Sequence, residues 1–219
     1  MFQAMGTHGP NLSPQASLVL DLLLVATAFL LLARPVKRPL NEVLFMATLV
    51  IGVSLIRVVM APLPNVQPVT VATLLVGAQL GARRGAAFAV LVAMLSNAFL
   101  GDGWWTIFQA AAWASIAVLG ANLRLLVDSK LHMGRAVAAS LFAAVWFDVL
   151  VSFSILDGTI GVREFMTYLV NGIPFDLLHM LGNLTFVVWA GAWFTGILEQ
   201  EPEANDLEFT VVNTHAIDG

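Results

Sequence analysis

The sequence predicts an all-α fold, a polytopic membrane helical bundle. Three observations predict it. Apolar residues make up 59% of the 219 residues, charged residues only 11%, and mean hydropathy is +0.87. Soluble domains average about 45–50% apolar and about 25% charged residues, so a water-soluble globule and a disordered chain are both excluded. Ten Lys and Arg against fourteen Asp and Glu leave no basic surface to track phosphates, which excludes nucleic acid as a partner. Cys is absent, so there is no disulfide framework, no thiolate metal site and no Cys nucleophile.

A helix crossing about 30 Å of hydrocarbon needs about 20 mostly apolar residues. Such runs fall at 17–33, 42–61, 68–80, 85–100, 105–123, 136–155 and 174–198. The third is short and bounded by Pro68 and Gly81, which predicts a tilted or partly buried piece. Run 17–33 does not have the order of a secretory signal. Residues 1–16 carry no Lys or Arg, and Arg34, Lys37 and Arg38 follow the run instead of preceding it. It is expected as a retained helix behind an external segment, 1–16.

The connections 34–41, 81–84 and 124–135 hold eight of the ten basic residues, whereas 62–67, 101–104 and 156–173 hold only Arg163. By the positive-inside rule this alternation predicts a multi-pass cell-membrane protein with its N-terminus outside and its C-terminus in the cytoplasm. The stretch 199–219 carries Glu199, Glu201, Glu203, Asp206 and Glu208 and is expected as an acidic, disordered cytoplasmic tail.

Ionisable residues inside hydrocarbon are costly and mark candidate functional positions. Asp21, Arg57, Asp148, Asp176 and His179 all fall in spans. In the last run Pro174 suits a first helical turn, and Asp176, His179 and Asn183 follow at i, i+3 and i+7 on one face. That face can line a polar cavity near the outer surface. Alternatively Asp176 caps the helix, and His179 and Asn183 hydrogen-bond neighbouring helices.

A second cluster surrounds the Gly101-Asp102-Gly103 turn. Ser96 and Asn97 precede it, and Trp105, Gln109 and Trp113 repeat at i, i+4 and i+8 beyond it. Aromatic walls with interspersed amides can grip a ring-containing ligand, while Trp104 at the interface reads as a membrane anchor. The connection 62–67, stiffened by Pro62, Pro64 and the following Pro68, brings Asn65 and Gln67 to the same compartment. Asp148 and Ser152 lie at i, i+4 near the outer end of their span. Arg57 can snorkel or pair with Asp148 or Asp176, and Asp21 can reach the headgroups. The polar residues thus converge at the outer leaflet, as suits a receptor loaded from outside.

No Gly-Lys dipeptide occurs, which excludes a P-loop, and His-Glu-x-x-His and Gly-x-Ser-x-Gly are missing. An enzyme is therefore not expected. One intramembrane His beside carboxylates is too little for a transition-metal site, and neither a metal nor a cofactor is expected.

The stretch from Ala61 to Thr70, the segment Ser96-Asn97 with Gly101 to Thr106 and Gln109, and the stretch from Gly172 to Asn183 together resemble the substrate-specific S component of energy-coupling factor (ECF) transporters. The similarity is to the vitamin-type branch that includes cobalamin and riboflavin receptors, and it covers about 41–198. It implies a six-helix substrate-binding core, with 17–33 as one extra N-terminal helix. It also implies capture of a vitamin or cofactor precursor from outside, and association with a membrane T subunit and two cytoplasmic ATPases. Carried over, Asn65, Gln67, Asn97, Trp105, Gln109, Asp176, His179 and Asn183 surround the ligand, beside Trp113 and Asp148 from the reading above.

The family's T-subunit contact, two alanines four apart, is broken here. Ala47 is followed by Ile51, although Thr48 and Gly52 form a small-xxx-small pair open to close helix approach. Met1-Phe2 departs from the N-terminal His of nickel and cobalt receptors in the wider family. A stand-alone ion-coupled permease is the alternative to the receptor, with a membrane enzyme third.

Overall fold

In the computed structural model, residues 12–33, 39–156 and 158–200 are described. The described residues form seven α-helices: α1 (Pro14–Leu32), α2 (Pro39–Val59), α3 (Val69–Leu80), α4 (Ala82–Leu100), α5 (Trp105–Asn122), α6 (Met133–Ser152) and α7 (Val162–Leu198). Five of these segments, Pro14–Leu32, Leu40–Val59, Ala82–Leu100, Met133–Ile155 and Val162–Leu198, are long and apolar enough to cross a membrane. The fold is all-α and compatible with a multi-pass membrane protein. Arg34, Lys37 and Arg38, the segment 1–11 and the acidic stretch from Glu201 lie outside the described residues.

The short third helix has a physical reason. Every residue of α3 from Val69 to Gly77 is buried, because α3 packs against α4, α5, α6 and α7. A twelve-residue helix spans only about 18 Å, so its apolarity serves the bundle interior more than contact with lipid. The fit to α5 is backbone on backbone. A β-carbon at Gly77 would run into the Ala117 carbonyl, and one at Gly120 into the Leu74 carbonyl.

At one end of the bundle, Arg84 pairs with Glu42 at 2.9 Å and ties α4 to the start of α2. Arg83 reaches the Leu30 and Ala33 carbonyls at 3.4 Å, where α1 has run out of intrahelical donors. Ala28 is the one buried residue of α1, so this helix packs on α4 along its flank and leaves the rest of its apolar surface facing outward. Its start is capped by Ser13, whose hydroxyl accepts from the Ala16 amide at 3.2 Å, with Pro14 in the first turn.

Two features differ from the sequence expectation. The stretch 156–173 is not simply a connection, because α7 begins at Val162 and runs 37 residues with Pro174 inside it. Asp176 therefore sits mid-helix and caps nothing. Pro174 has no N–H to give the carbonyl four residues back, yet the helix continues on both sides. At about 1.5 Å per residue α7 is about 55 Å long, well beyond about 30 Å of hydrocarbon. Its exposed Val162, Met166, Val170, Ile173, Leu177 and Leu181 form one apolar stripe at helical spacing.

The second difference is a small hairpin within the basic connection. Leu126–Val127 (β1) pairs antiparallel with Lys130–Leu131 (β2), turning through Asp128 and Ser129 at φ of 50° and 59°. Two left-handed central residues define the tight turn that joins such strands.

Gly77→Val is expected to lower the thermal unfolding midpoint of the detergent-purified protein by several degrees, since overpacking costs about 1–3 kcal/mol or more. Gly52→Ala, whose added methyl would meet nothing within 4 Å, is expected to leave it unchanged.

Candidate functional site

Arg57 occupies the last turn of α2, where the helix dipole favours a cation. It neither snorkels nor meets a described carboxylate. The side chain is 5% exposed, and its bonds go to neutral groups. Nε donates to Gln67 Oε1 at 3.0 Å, and Nη1 to Asn97 Oδ1 at 2.8 Å and to the Ser96 hydroxyl. The guanidinium also lies over the Trp113 ring, 5.0 Å from its centre, in a cation–π contact.

Each partner is placed by a local feature of the chain. Gln67 is returned to Arg57 by the proline-stiffened loop after α2, in which Asn65 takes a φ of 59°, a left-handed turn that Asn tolerates. Asn97 lies in the last turn of α4, just before Gly101 ends that helix at a φ of 110°. Its amide group then donates to Thr106 Oγ1 and to Gln109 Oε1, each at 2.8 Å. The Thr106 hydroxyl passes on to the Asp102 carboxylate, and Asp21 of α1 lies within hydrogen-bonding reach of that carboxyl.

Trp113 joins this cluster to a second one. Its indole N–H donates to Thr70 Oγ1 at 3.1 Å; Thr70 Oγ1 lies 2.9 Å from His179 Nε2, and His179 Nδ1 lies 3.0 Å from Asp148 Oδ2. The indole can only donate, so Thr70 Oγ1 accepts from it. His179 thus has one ring nitrogen on a hydroxyl and the other on a carboxylate. Phe147 stacks on Trp113 at 4.6 Å and meets His179 edge-on at 5.4 Å, closing the cluster with apolar surface. Asp176 lies within hydrogen-bonding reach of Asp148.

Of the positions singled out in the sequence, Gln67, Asn97, Gln109, Trp113, Asp148, Asp176 and His179 thus belong to one connected system contributed by α2 to α7 and the loop after α2. Asn65 stands at its rim, donating to the Phe175 carbonyl at 3.3 Å. Asn183 lies a turn deeper between α6 and α7, where its amide donates to the Ser140 carbonyl at 2.9 Å and its own carbonyl oxygen is buried without a partner. The Trp105 ring covers Gly103, where a β-carbon would strike it. Thr70, Ser96 and Thr106 were not singled out as ligand positions, and each is a hydroxyl residue in an apolar helix that bridges two helices here. Among the described residues no three His, Cys, Asp or Glu side chains stand together so as to hold a metal ion.

Fold and site define an all-helical protein, compatible with a multi-pass membrane protein, with a buried polar system at the end of the bundle opposite Arg83 and Arg84. A family model described as a family of unknown function, DUF6580, matches residues 37–203, and the chain belongs to that family. The match begins just before α2 and ends just after α7, leaving α1 outside it. No curated protein and no solved structure matches the chain.

Asn97→Leu removes an acceptor from a buried guanidinium, and a hydrogen bond to a charged group contributes about 1.5–3 kcal/mol. Equilibrium unfolding in mixed micelles is expected to show a loss of that order, against about 1 kcal/mol or less for Asn65→Ala at the rim.

Proposed function

We propose that this chain is the substrate-binding membrane subunit of an ECF-type importer, capturing a vitamin or cofactor precursor of cobalamin or riboflavin type from outside. The observation that carries this reading is the convergence of six helices on one polar system at a single end of the bundle. The chain itself supplies no nucleotide-binding loop, so partner subunits supply the energy. The family match over α2 to α7, with α1 outside, fits a six-helix receptor core plus one added helix. In this reading the polar end faces outward, and the end with Arg83, Arg84, Arg124 and Arg135 faces the cytoplasm. The protein is a receptor and not an enzyme.

The T-subunit contact in this reading uses α2. Thr48 and Gly52 line an apolar groove of about 360 Å³ between α2, α3 and α7, with Trp193 at its edge. Ala47 is their half-buried neighbour. Small residues beside a lateral apolar groove suit the approach of a partner's transmembrane helix. Filling the groove with Gly52→Trp is expected to abolish co-purification with the T subunit and ATPases while ligand affinity is retained.

The Thr70–His179–Asp148 chain, with Asp176 beside it, supports a second reading as an ion-coupled permease, because such chains carry protons across membranes. Proteoliposomes separate the two. Uptake that requires the ATPases and ATP fits the receptor; uptake driven by a proton gradient alone fits the permease. In the receptor reading His179→Ala and Asp176→Ala are expected to weaken ligand binding roughly 10- to 100-fold by calorimetry, the equivalent of one charge-assisted hydrogen bond, with membrane insertion unchanged. Unaltered affinity in both variants would remove these residues from the ligand site.

A further inference from the structure

The hydrogen-bond polarity around Arg57 has a direction. Guanidinium can only donate, so the carbonyl oxygens of Gln67 and Asn97 must turn toward it, as both do. With its oxygen so committed, Asn97 must donate through Nδ2, which obliges Gln109 to present its carbonyl oxygen to Asn97. Both glutamines therefore spend their acceptors inside the cluster and turn their amino groups away from it. Among the described residues neither the Gln67 nor the Gln109 amino group has a hydrogen-bond partner, and neither has Arg57 Nη2. Both glutamine side chains are only half-buried.

What is left in this network is a set of unused donors: Arg57 Nη2, the amino group of Gln67, whose carbonyl oxygen is bonded to the guanidinium, and that of Gln109, one step further on through Asn97. The charge balance points the same way. Arg57 is 5% exposed and has no ion pair with a described carboxylate. Within this network the first carboxylate is Asp102, reached only through Asn97 and then Thr106, and it is exposed. A permanent cation buried without a counter-ion is costly unless something completes it. Neutral side chains could tie α2 to α4 and α5 without that cost.

We propose that Arg57, Gln67 and Gln109 form an oxyanion site, binding the carboxylate or phosphate group of a small molecule. The site rests on the same reading of this end of the bundle as a ligand site, and it narrows the ligand to one that carries an acidic group. Trp113, whose ring lies under the guanidinium, holds the cation in place from its other side.

The test uses the full chain in detergent at constant chloride and ionic strength. Thermal unfolding is followed with acetate, benzoate or inorganic phosphate, and with acetamide or benzamide as uncharged controls. At least one oxyanion is expected to raise the midpoint saturably, by about 3 °C or more, while the amides do not. Whether acetate and benzoate or phosphate gives the response identifies the group. Gln67→Glu supplies the missing anion from within, so it is expected to raise the midpoint without ligand and abolish the oxyanion response; Gln109→Glu should act in the same direction. The proposal is overturned if no oxyanion shifts the wild type, if acetamide matches acetate, or if Gln67→Glu responds as the wild type does. ATPase association is measured in parallel. A chain that binds the ATPases yet ignores oxyanions keeps the receptor reading and loses this one, and the converse result does the reverse.

Discussion

A guanidinium that stays charged in the interior of an apolar bundle sets the terms for everything around it. Arg57 cannot shed its proton to lower the cost of burial, as a lysine can, so the chain must bring acceptors to it. Three come from two places: the loop after α2 and the last turn of α4. Satisfying the cation therefore fixes where α2 ends, how the proline-rich loop turns, and how α4 sits beside α2. Acceptors presented by neutral amides leave the charge itself unbalanced, and this distinguishes the cluster from an ordinary interhelical clamp.

The clamp at Arg57 has a counterpart at the other end of the same two helices. Glu42 and Arg84 join α2 to α4 there, fifteen residues before Arg57 and thirteen before Asn97, or about 20 Å away. Between them close packing holds the register. Gly77 and Gly120 let the backbones of α3 and α5 touch, and α4 closes over the pair through buried Phe88, Ala89 and Val92. The closely packed α3, α4 and α5 together carry Thr70, Asn97, Gln109 and Trp113. The polar system can then be preorganised although its members come from distant parts of the chain.

Much of this could be read from the sequence, and the parts that could not have physical causes. Composition pointed to apolar helices, five of which are long and apolar enough to cross a membrane, and ionisable residues in apolar runs singled out Arg57, Asp148, Asp176 and His179, which the fold brings into one connected system. Helical spacing put Asp176, His179 and Asn183 on one face, but a face meets different neighbours along its length. His179 meets Asp148 and Thr70, while Asn183, one turn deeper, meets only the Ser140 backbone. Charge intuition paired Arg57 with acids, whereas packing gave it amides, a choice that no spacing rule encodes. Thr70 and Thr106 carried no signal because hydroxyls in apolar helices commonly bond back to their own backbone, as Thr48 and Thr185 do here. The Gly172-Ile173-Pro174 sequence read as a helix start because Pro is costly inside a helix. It reads through because the loss is one hydrogen bond in a helix of 37 residues. The Asp128-Ser129 hairpin lacks the Gly that usually announces such a turn.

The two polar clusters meet at one side chain, and this is where the geometry of the site becomes more than a list of contacts. The face of Trp113 receives Arg57 and its edge donates to Thr70, so a single indole orientation serves both. Rotating the ring to follow a displaced guanidinium would withdraw the N–H from Thr70. Thr70 would then lose one of the two partners through which it joins α5 to α7. Phe147, stacked on Trp113 and edge-on to His179, resists that rotation from the α6 side. The Arg57 cluster and the Thr70–His179–Asp148 chain therefore share one side chain, on whose orientation both depend.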